Sequence, residues 1–247
     1  MLPSSTVTPS STVAPFLRQT DALSLPGLEP LPIHRIRFDA AAFTPACFAA
    51  HGILLPATLQ GAVSKRQGEF LAGRLAARQA LRPYGLGGET VAIGAAREPR
   101  WPAGMEGSIS HSRLLGEGVA LCAARPGRAG LGLDLEAWLD GGQADPLWPG
   151  IVDEQEWGRL EAGALAAGLD RAQGLTLVFS AKESLFKALH PRVGRYFDFL
   201  DARWLGMTEQ SISLCLKTAL APDLPAGWHC TLRWQRLPGG LLTLLAL

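Results

Sequence analysis

Long apolar runs are missing from this chain of 247 residues, since no stretch reaches the ~18–20 consecutive apolar residues needed to span a bilayer. The opening MLPSSTVTPSSTVAP has neither a cationic segment nor an apolar one behind it, so no secretory leader is read there. An excess of one charge is missing too. Lys and Arg number 23 and Asp and Glu 22, a formal net charge of +1, too balanced to hold nucleic acid by neutralising many phosphates. The four cysteines, Cys47, Cys122, Cys215 and Cys230, show no C-x-x-C spacing, which excludes a zinc knuckle and a dithiol redox motif. They read as reduced, partly buried thiols. Neither a glycine fingerprint for a dinucleotide nor a Walker loop is found. The expectation is a soluble, cytoplasmic chain with no membrane and no nucleic-acid partner.

Hydrophobic residues make up 47% of the chain and charged residues 18%, a balance that excludes global disorder because enough apolar surface exists to offset chain entropy. Residues 1–32 are rich in Ser, Thr and Pro and read as an extended or mobile segment without chemistry. From Ile33 the text changes. IHRIRF alternates as a strand, and SKRQGEFLAGRLAARQAL reads as a helix opened by a Ser64/Gln67 capping box and stopped by Pro83 and Gly85. GSISHS and GVALCAA look like two short strands joined by a turn. A first α/β half therefore covers 33–125. The second, 126–247, opens on the strand-like GLGLDLE and continues through a helical stretch from Asp153 to Gly168. A long helix in FSAKESLFKALHP, stopped by Pro191, precedes strands in SISLCLKTAL, HCTLRWQRL and LLTLLAL. This pattern predicts an α+β fold of two similar subdomains.

Asp134 and Glu136 stand two apart in GLGLDLE, so on a strand both carboxylates project from one face, a pair suited to a hard divalent cation. The alternative is a strand running out into solvent. Ser180 and Glu183 have the S-x-x-E spacing of a capping box, while Glu183 and Lys187 sit one turn apart, as a surface ion pair or an active-site pair would. Arg66, Arg74 and Arg78 on the first helix either converge on a phosphate or form a solvated basic face. Arg97, Arg100 and Trp101 add cations and an aromatic plane that suit a nucleotide or an ordinary loop. His111 follows GSIS at a strand end, as a ligand-binding or a structural histidine.

Taken in order, KRQGEFLAGRLAARQAL, WPAGMEGSISHS, GLGLDLE and FSAKESLFKALHP resemble the 4′-phosphopantetheinyl transferases of the surfactin- and enterobactin-synthase type, over about Ile33 to Leu200. The resemblance implies two subdomains related by a pseudo-twofold axis, with coenzyme A in the cleft between them and Mg²⁺, or Mn²⁺, at its centre. It implies that the phosphopantetheine arm of coenzyme A is moved to a serine of an apo carrier protein, releasing adenosine 3′,5′-bisphosphate. By position, Asp134, Glu136 and Glu183 would be metal ligands, with Glu183, or a metal-bound water, as the general base. Lys187 would face the pyrophosphate, and Lys187 and His111 would add positive potential. Arg66 and Arg74 would hold the 3′-phosphate, Arg97 to Arg100 would line the adenine side, and Ser110 and His111 would contact the nucleotide phosphates. Arg192 and Arg195 offer a local basic surface for an acidic carrier, and the enzyme is expected to be a monomer. The competing function is a non-catalytic coenzyme A-binding module of the same fold, against which the intact Asp134, Glu136, Glu183 and Lys187 speak.

Overall fold

The computed structural model describes residues 15–95 and 97–247. The first half contains β1 Leu17–Leu23, β2 Ile33–Phe38, α1 Ala46–Ala50, α2 Ser64–Leu81, a short pair β3 Ala92–Ile93 and β4 Pro99–Arg100, then β5 Met105–Leu114 and β6 Glu117–Pro126. The second contains β7 Leu131–Ala137, α3 Gly141–Leu147, α4 Glu154–Ala166, α5 Arg171–Val193, β8 Ala202–Met207, β9 Ser211–Leu216, β10 His229–Leu237 and β11 Gly240–Ala246. Two antiparallel sheets result, ordered β1-β2-β6-β5 and β7-β11-β10-β9-β8. Each carries one long helix, α2 against β6 and β2, α5 against β7 and β11. Edge strands β5 and β7 meet at the seam between the halves.

Helix α2 lies close to its sheet because its inner face is small or apolar: Ala72, Ala76, Ala77 and Ala80 alternate with Phe70, Leu71 and Leu75. Its start differs from the Ser64/Gln67 box. No side chain caps it, and the Gln67 amide instead donates to the Leu59 and Gln60 carbonyls, at 2.8 and 3.3 Å. Gln67 is buried, and a buried amide must take the acceptors that packing supplies.

Helix α5 begins eight residues before FSAKES. Asp170 caps it, accepting from the Gln173 backbone N–H while the Gln173 side chain accepts from Asp170 N–H. Pro191 does not stop it, because a proline in the last turn forfeits only one helical bond, and Gly194 ends it in the left-handed region, φ 67°. A Cβ on Gly132 of β7 would stand 1.8 Å from the Ser184 carbonyl oxygen. Only glycine lets α5 approach β7 this closely.

The boundary at residue 32 needs correction. Leu17–Leu23 forms strand β1 on β2, Arg35 holds Asp21 through bonds of 2.8 and 2.6 Å, and Phe16 is buried against Phe38 and Phe43. The first half thus includes this strand, because one buried aromatic and a bidentate pair anchor a segment whose composition alone reads as loose. Residues 1–14 of the Ser/Thr/Pro-rich segment lie outside the described residues. β8, also missed, alternates buried Ala202, Trp204 and Met207 with more exposed positions. No helix among the described residues is long and apolar enough to cross a membrane.

Candidate active site at the subdomain seam

Asp134 lies on β7 with 2% exposure, so the solvated strand-end reading fails. Its Oδ1 accepts from Lys187 Nζ at 2.6 Å and Ser110 Oγ at 3.0 Å, while Oδ2 is buried without a hydrogen-bond partner. Lys187 Nζ also donates to the Leu133 carbonyl at 3.2 Å and Ser110 Oγ at 3.4 Å. Glu183 and Lys187 therefore do not form a surface pair, since the ammonium turns to the strand instead.

The capping reading of Glu183 also fails. Ser180 lies inside α5, with its Oγ 3.0 Å from Thr243 Oγ1 on β11, and Ser184 Oγ is 2.7 Å from the same hydroxyl. A residue in mid-helix has no orphan amides to cap. Burial raises the Glu183 pKa, Asp134 adds to the rise and Lys187 opposes it. Glu136 is pushed up to about 8 by burial first, then by Asp134, with Lys187 opposing and Glu183 adding. Three carboxyl groups thus share the field of one ammonium.

That donor set fits a hard divalent cation: oxygen ligands, a buried orphan oxygen on Asp134, and mutual repulsion that a dication would relieve. The carboxylates are not already drawn together, since among the described residues no three His, Cys, Asp or Glu side chains form a close ligand cluster. Lys187 occupies the Asp134 oxygen instead.

Beside this cluster a cavity of about 470 Å³ lies against α2 and β5, with Arg66, Glu69, Arg74, Arg97 and His111 in its wall. Arg74 is buried over the Phe70 ring, 4.3 Å from its centroid. Among the described residues its one hydrogen bond runs to the Ala92 carbonyl at 3.5 Å, and Nε has no partner. Burial lowers its pKa only to about 10, so a guanidinium without a carboxylate faces the cavity, the signature of an anion site. Arg66 Nη1 lies 2.8 Å from His111 Nε2, and Glu69 lies near both, at 3.8 and 3.7 Å.

Burial, with Arg66 and Lys187 adding, lowers the His111 pKa against the pull of Glu69. That direction runs against a standing positive charge on the imidazole. Glu69 was missed by sequence reasoning, although an acid three and four residues beyond Arg66 and Lys65 on a helix is a detectable signal.

A second cavity of about 580 Å³ spans the seam, shares Arg97, Pro99 and Ile109 with the first, and is lined by Ser108, Lys187 and Arg195. Four residues singled out earlier stand elsewhere. Arg78 is spent on the His51 and Gly52 carbonyls, at 2.7 and 2.9 Å. Arg100 is exposed on β4 and lines neither cavity. Trp101 packs where a Cβ on Gly107 would fall, 2.5 Å away, and lines neither cavity. Arg192 pairs with Asp223, while Arg195 has no ion pair among the described residues.

A two-lobed α+β enzyme emerges, with Arg66, Arg74 and Arg97 around a cavity of one lobe and three carboxyl groups in the field of one lysine on the other: the layout of a phosphoryl-group transferase. Residues 55–124 match the family model for the 4′-phosphopantetheinyl transferase N-terminal domain, and residues 130–232 match that for the 4′-phosphopantetheinyl transferase superfamily. Enterobactin synthase component D of Salmonella typhimurium is 36% identical over 221 residues, 88% of each chain. That of Escherichia coli K12 is 39% identical over 184 residues, 73% of this chain and 80% of the relative. The 4′-phosphopantetheinyl transferase Svp of Streptomyces mobaraensis is 35% identical over 170 residues, 65% of this chain and 64% of the relative. The chain belongs to the 4′-phosphopantetheinyl transferase superfamily, enzymes that transfer phosphopantetheine to carrier proteins.

Proposed function

We propose that this enzyme moves the 4′-phosphopantetheine arm of coenzyme A to a serine hydroxyl of an apo carrier protein, releases adenosine 3′,5′-bisphosphate, and depends on Mg²⁺ or Mn²⁺. The observation that carries this reading is that the cavity lined by Arg66, Arg74 and His111 shares Arg97, Pro99 and Ile109 with the seam cavity that reaches Lys187, which is bonded to Asp134 and lies in the field of Glu136 and Glu183. Arg66 and Arg74 hold the 3′-phosphate, Arg97 lines the adenine side, and Ser110 and His111 contact the nucleotide phosphates. Asp134, Glu136 and Glu183 would hold the cation, which supplies charge neutralisation on the pyrophosphate.

During transfer the carrier serine oxygen forms a bond to the phosphorus that bears the pantetheine arm, and the bond from that phosphorus to the bridging oxygen breaks. Glu183 takes the serine proton, and the burial that raises its pKa makes its carboxylate the stronger acceptor. Lys187, released from Asp134, steadies the negative charge left on the departing phosphate. Both walls of the site come from one chain, so a monomer suffices.

Relatives named enterobactin synthase component D make the carrier domain of a siderophore synthase the first substrate to test. Incubation of that apo carrier with coenzyme A and Mg²⁺ should give a mass gain of one phosphopantetheine and an equal amount of adenosine 3′,5′-bisphosphate. Excess chelator should stop both. Coenzyme A binding without any carrier mass gain across a panel of apo carriers would instead establish the binding-module function.

A further inference from the structure

An edge strand leaves every second amide and carbonyl without a strand partner. β7 is such an edge, and its free positions are met by side chains of β5 rather than by a backbone ladder. Gly130 N–H, just before the strand, donates to Glu106 Oε2 at 2.8 Å. Leu133 N–H donates to Ser108 Oγ at 2.9 Å, and Leu135 N–H to Ser110 Oγ at 3.2 Å. Glu106, Ser108 and Ser110 are alternate residues of β5 and so share one face. They form a three-rung ladder of side chains that joins the subdomains.

The outer rungs have other partners. Glu106 pairs with Arg125 at 2.7 Å, and Ser110 contacts Asp134 and Lys187 within the site. Ser108 is different. It is buried, and its hydroxyl accepts from Leu133 N–H and donates back to the Leu133 carbonyl at 3.3 Å. That carbonyl is also the second acceptor of the Lys187 ammonium, and the residue that follows it is Asp134. One hydroxyl on the nucleotide-binding half therefore fixes the peptide from which both the carboxylate and the ammonium of the other half are placed.

We propose that Ser108 is a positioning residue for the transfer reaction, setting Asp134 and Lys187 relative to the bound nucleotide through the Leu133 peptide. This rests on the function proposed above. Ser108 touches no reacting atom in this role, and its effect falls on the chemical step rather than on nucleotide affinity, because Arg66 and Arg74 stand on α2.

The test uses Ser108→Ala, with Ser108→Cys as a variant that keeps the volume and weakens the bonds. Three quantities are compared with wild type: amide hydrogen exchange of Leu133, the Kd for adenosine 3′,5′-bisphosphate, and kcat for an apo carrier. Faster exchange at Leu133 is expected, with kcat lower by about 10- to 100-fold, the scale of a small misplacement at a reacting centre. The nucleotide Kd should change by much less than kcat, because Arg66 and Arg74, which hold the 3′-phosphate, stand on α2 and make no bond to Ser108. An unchanged kcat in a folded variant overturns the proposal, as does a nucleotide Kd that weakens in step with kcat. So does a wild-type Leu133 amide that exchanges as freely as an unpaired one, a measurement that needs no variant. If wild type modifies no carrier, the proposed function fails; if wild type is active and Ser108→Ala equally so, only the positioning role fails.

Discussion

The two halves repeat one plan, a long helix on an antiparallel sheet, yet they face the seam with opposite chemistry. The first half offers Arg66, Arg74 and Arg97 around a cavity, with Arg74 buried and lacking a carboxylate. The second offers Asp134, Glu136 and Glu183 with Lys187 as the lone ammonium among them. One fold unit gathers arginines around a cavity, and the other sets three carboxyl groups about a single lysine. A repeated architecture can thus place two walls while individual side chains give each wall its own charge.

Asp134→Ala breaks the comparison most severely. Transfer should fall by on the order of 10³-fold or more, because charge stabilisation at the leaving group is lost, while adenosine 3′,5′-bisphosphate still binds the first half; calorimetric titration checks the second part. Glu183→Gln comes next, with turnover lower by about 10²- to 10⁴-fold, as for loss of a general base. Its melting temperature should stay near wild type, since Glu183 caps nothing. A drop in stability with retained turnover would return Glu183 to a structural role.

On the other side of the seam, Arg74→Gln should weaken coenzyme A by ~1.5–3 kcal/mol, the range for charge-assisted hydrogen bonds. The 3′-dephospho analogue should lose much less, and equal losses for both ligands would make Arg74 structural. Asp170→Ala is a stability control on the real cap of α5, expected to cost about 0.5–2 kcal/mol in denaturant titration and to leave nucleotide binding to the first half unchanged.

The smallest effect is a dependence on pH. Glu136 and Glu183 both have pKa values raised in the folded state, so the folded protein binds protons more tightly than the unfolded chain. Their contribution to stability is fully present below the ordinary carboxylate range and is lost as pH rises toward about 8, the value of Glu136. In chelator, the melting temperature should therefore fall between about pH 5 and pH 8, and Glu136→Gln should flatten that slope. A flat wild-type profile would mean that neither burial nor the neighbouring carboxylates raise these groups.

Much of the site was legible in the chain because it depends on short spacings. Asp134 and Glu136 share a face by strand alternation, and Glu183 and Lys187 share one by helical repeat, whatever lies beyond them. Arg66 and Arg74 were legible as cations of one helix. What could not be read is which partner each side chain takes. Ser180-x-x-Glu183 has the letters of a cap, but Asp170 starts the helix and Ser180 turns to Thr243, 63 residues away. Arg74 and Arg78, one turn apart, divide between an open cavity and two backbone carbonyls.

The amino-acid sequence by itself determined the two α+β halves, the order of their principal strands and helices, and the residue types of the site, because periodicity and local spacing act over a few residues. The tertiary structure alone decided the membership of β1, the burial that lowers the His111 pKa, the Lys187–Asp134 contact and the side-chain ladder from β5 to β7. Each of these depends on burial or on a partner at least 14 residues away along the chain. Such contacts have no local signature: desolvation and long-range hydrogen bonds exist only once the two sheets are brought edge to edge.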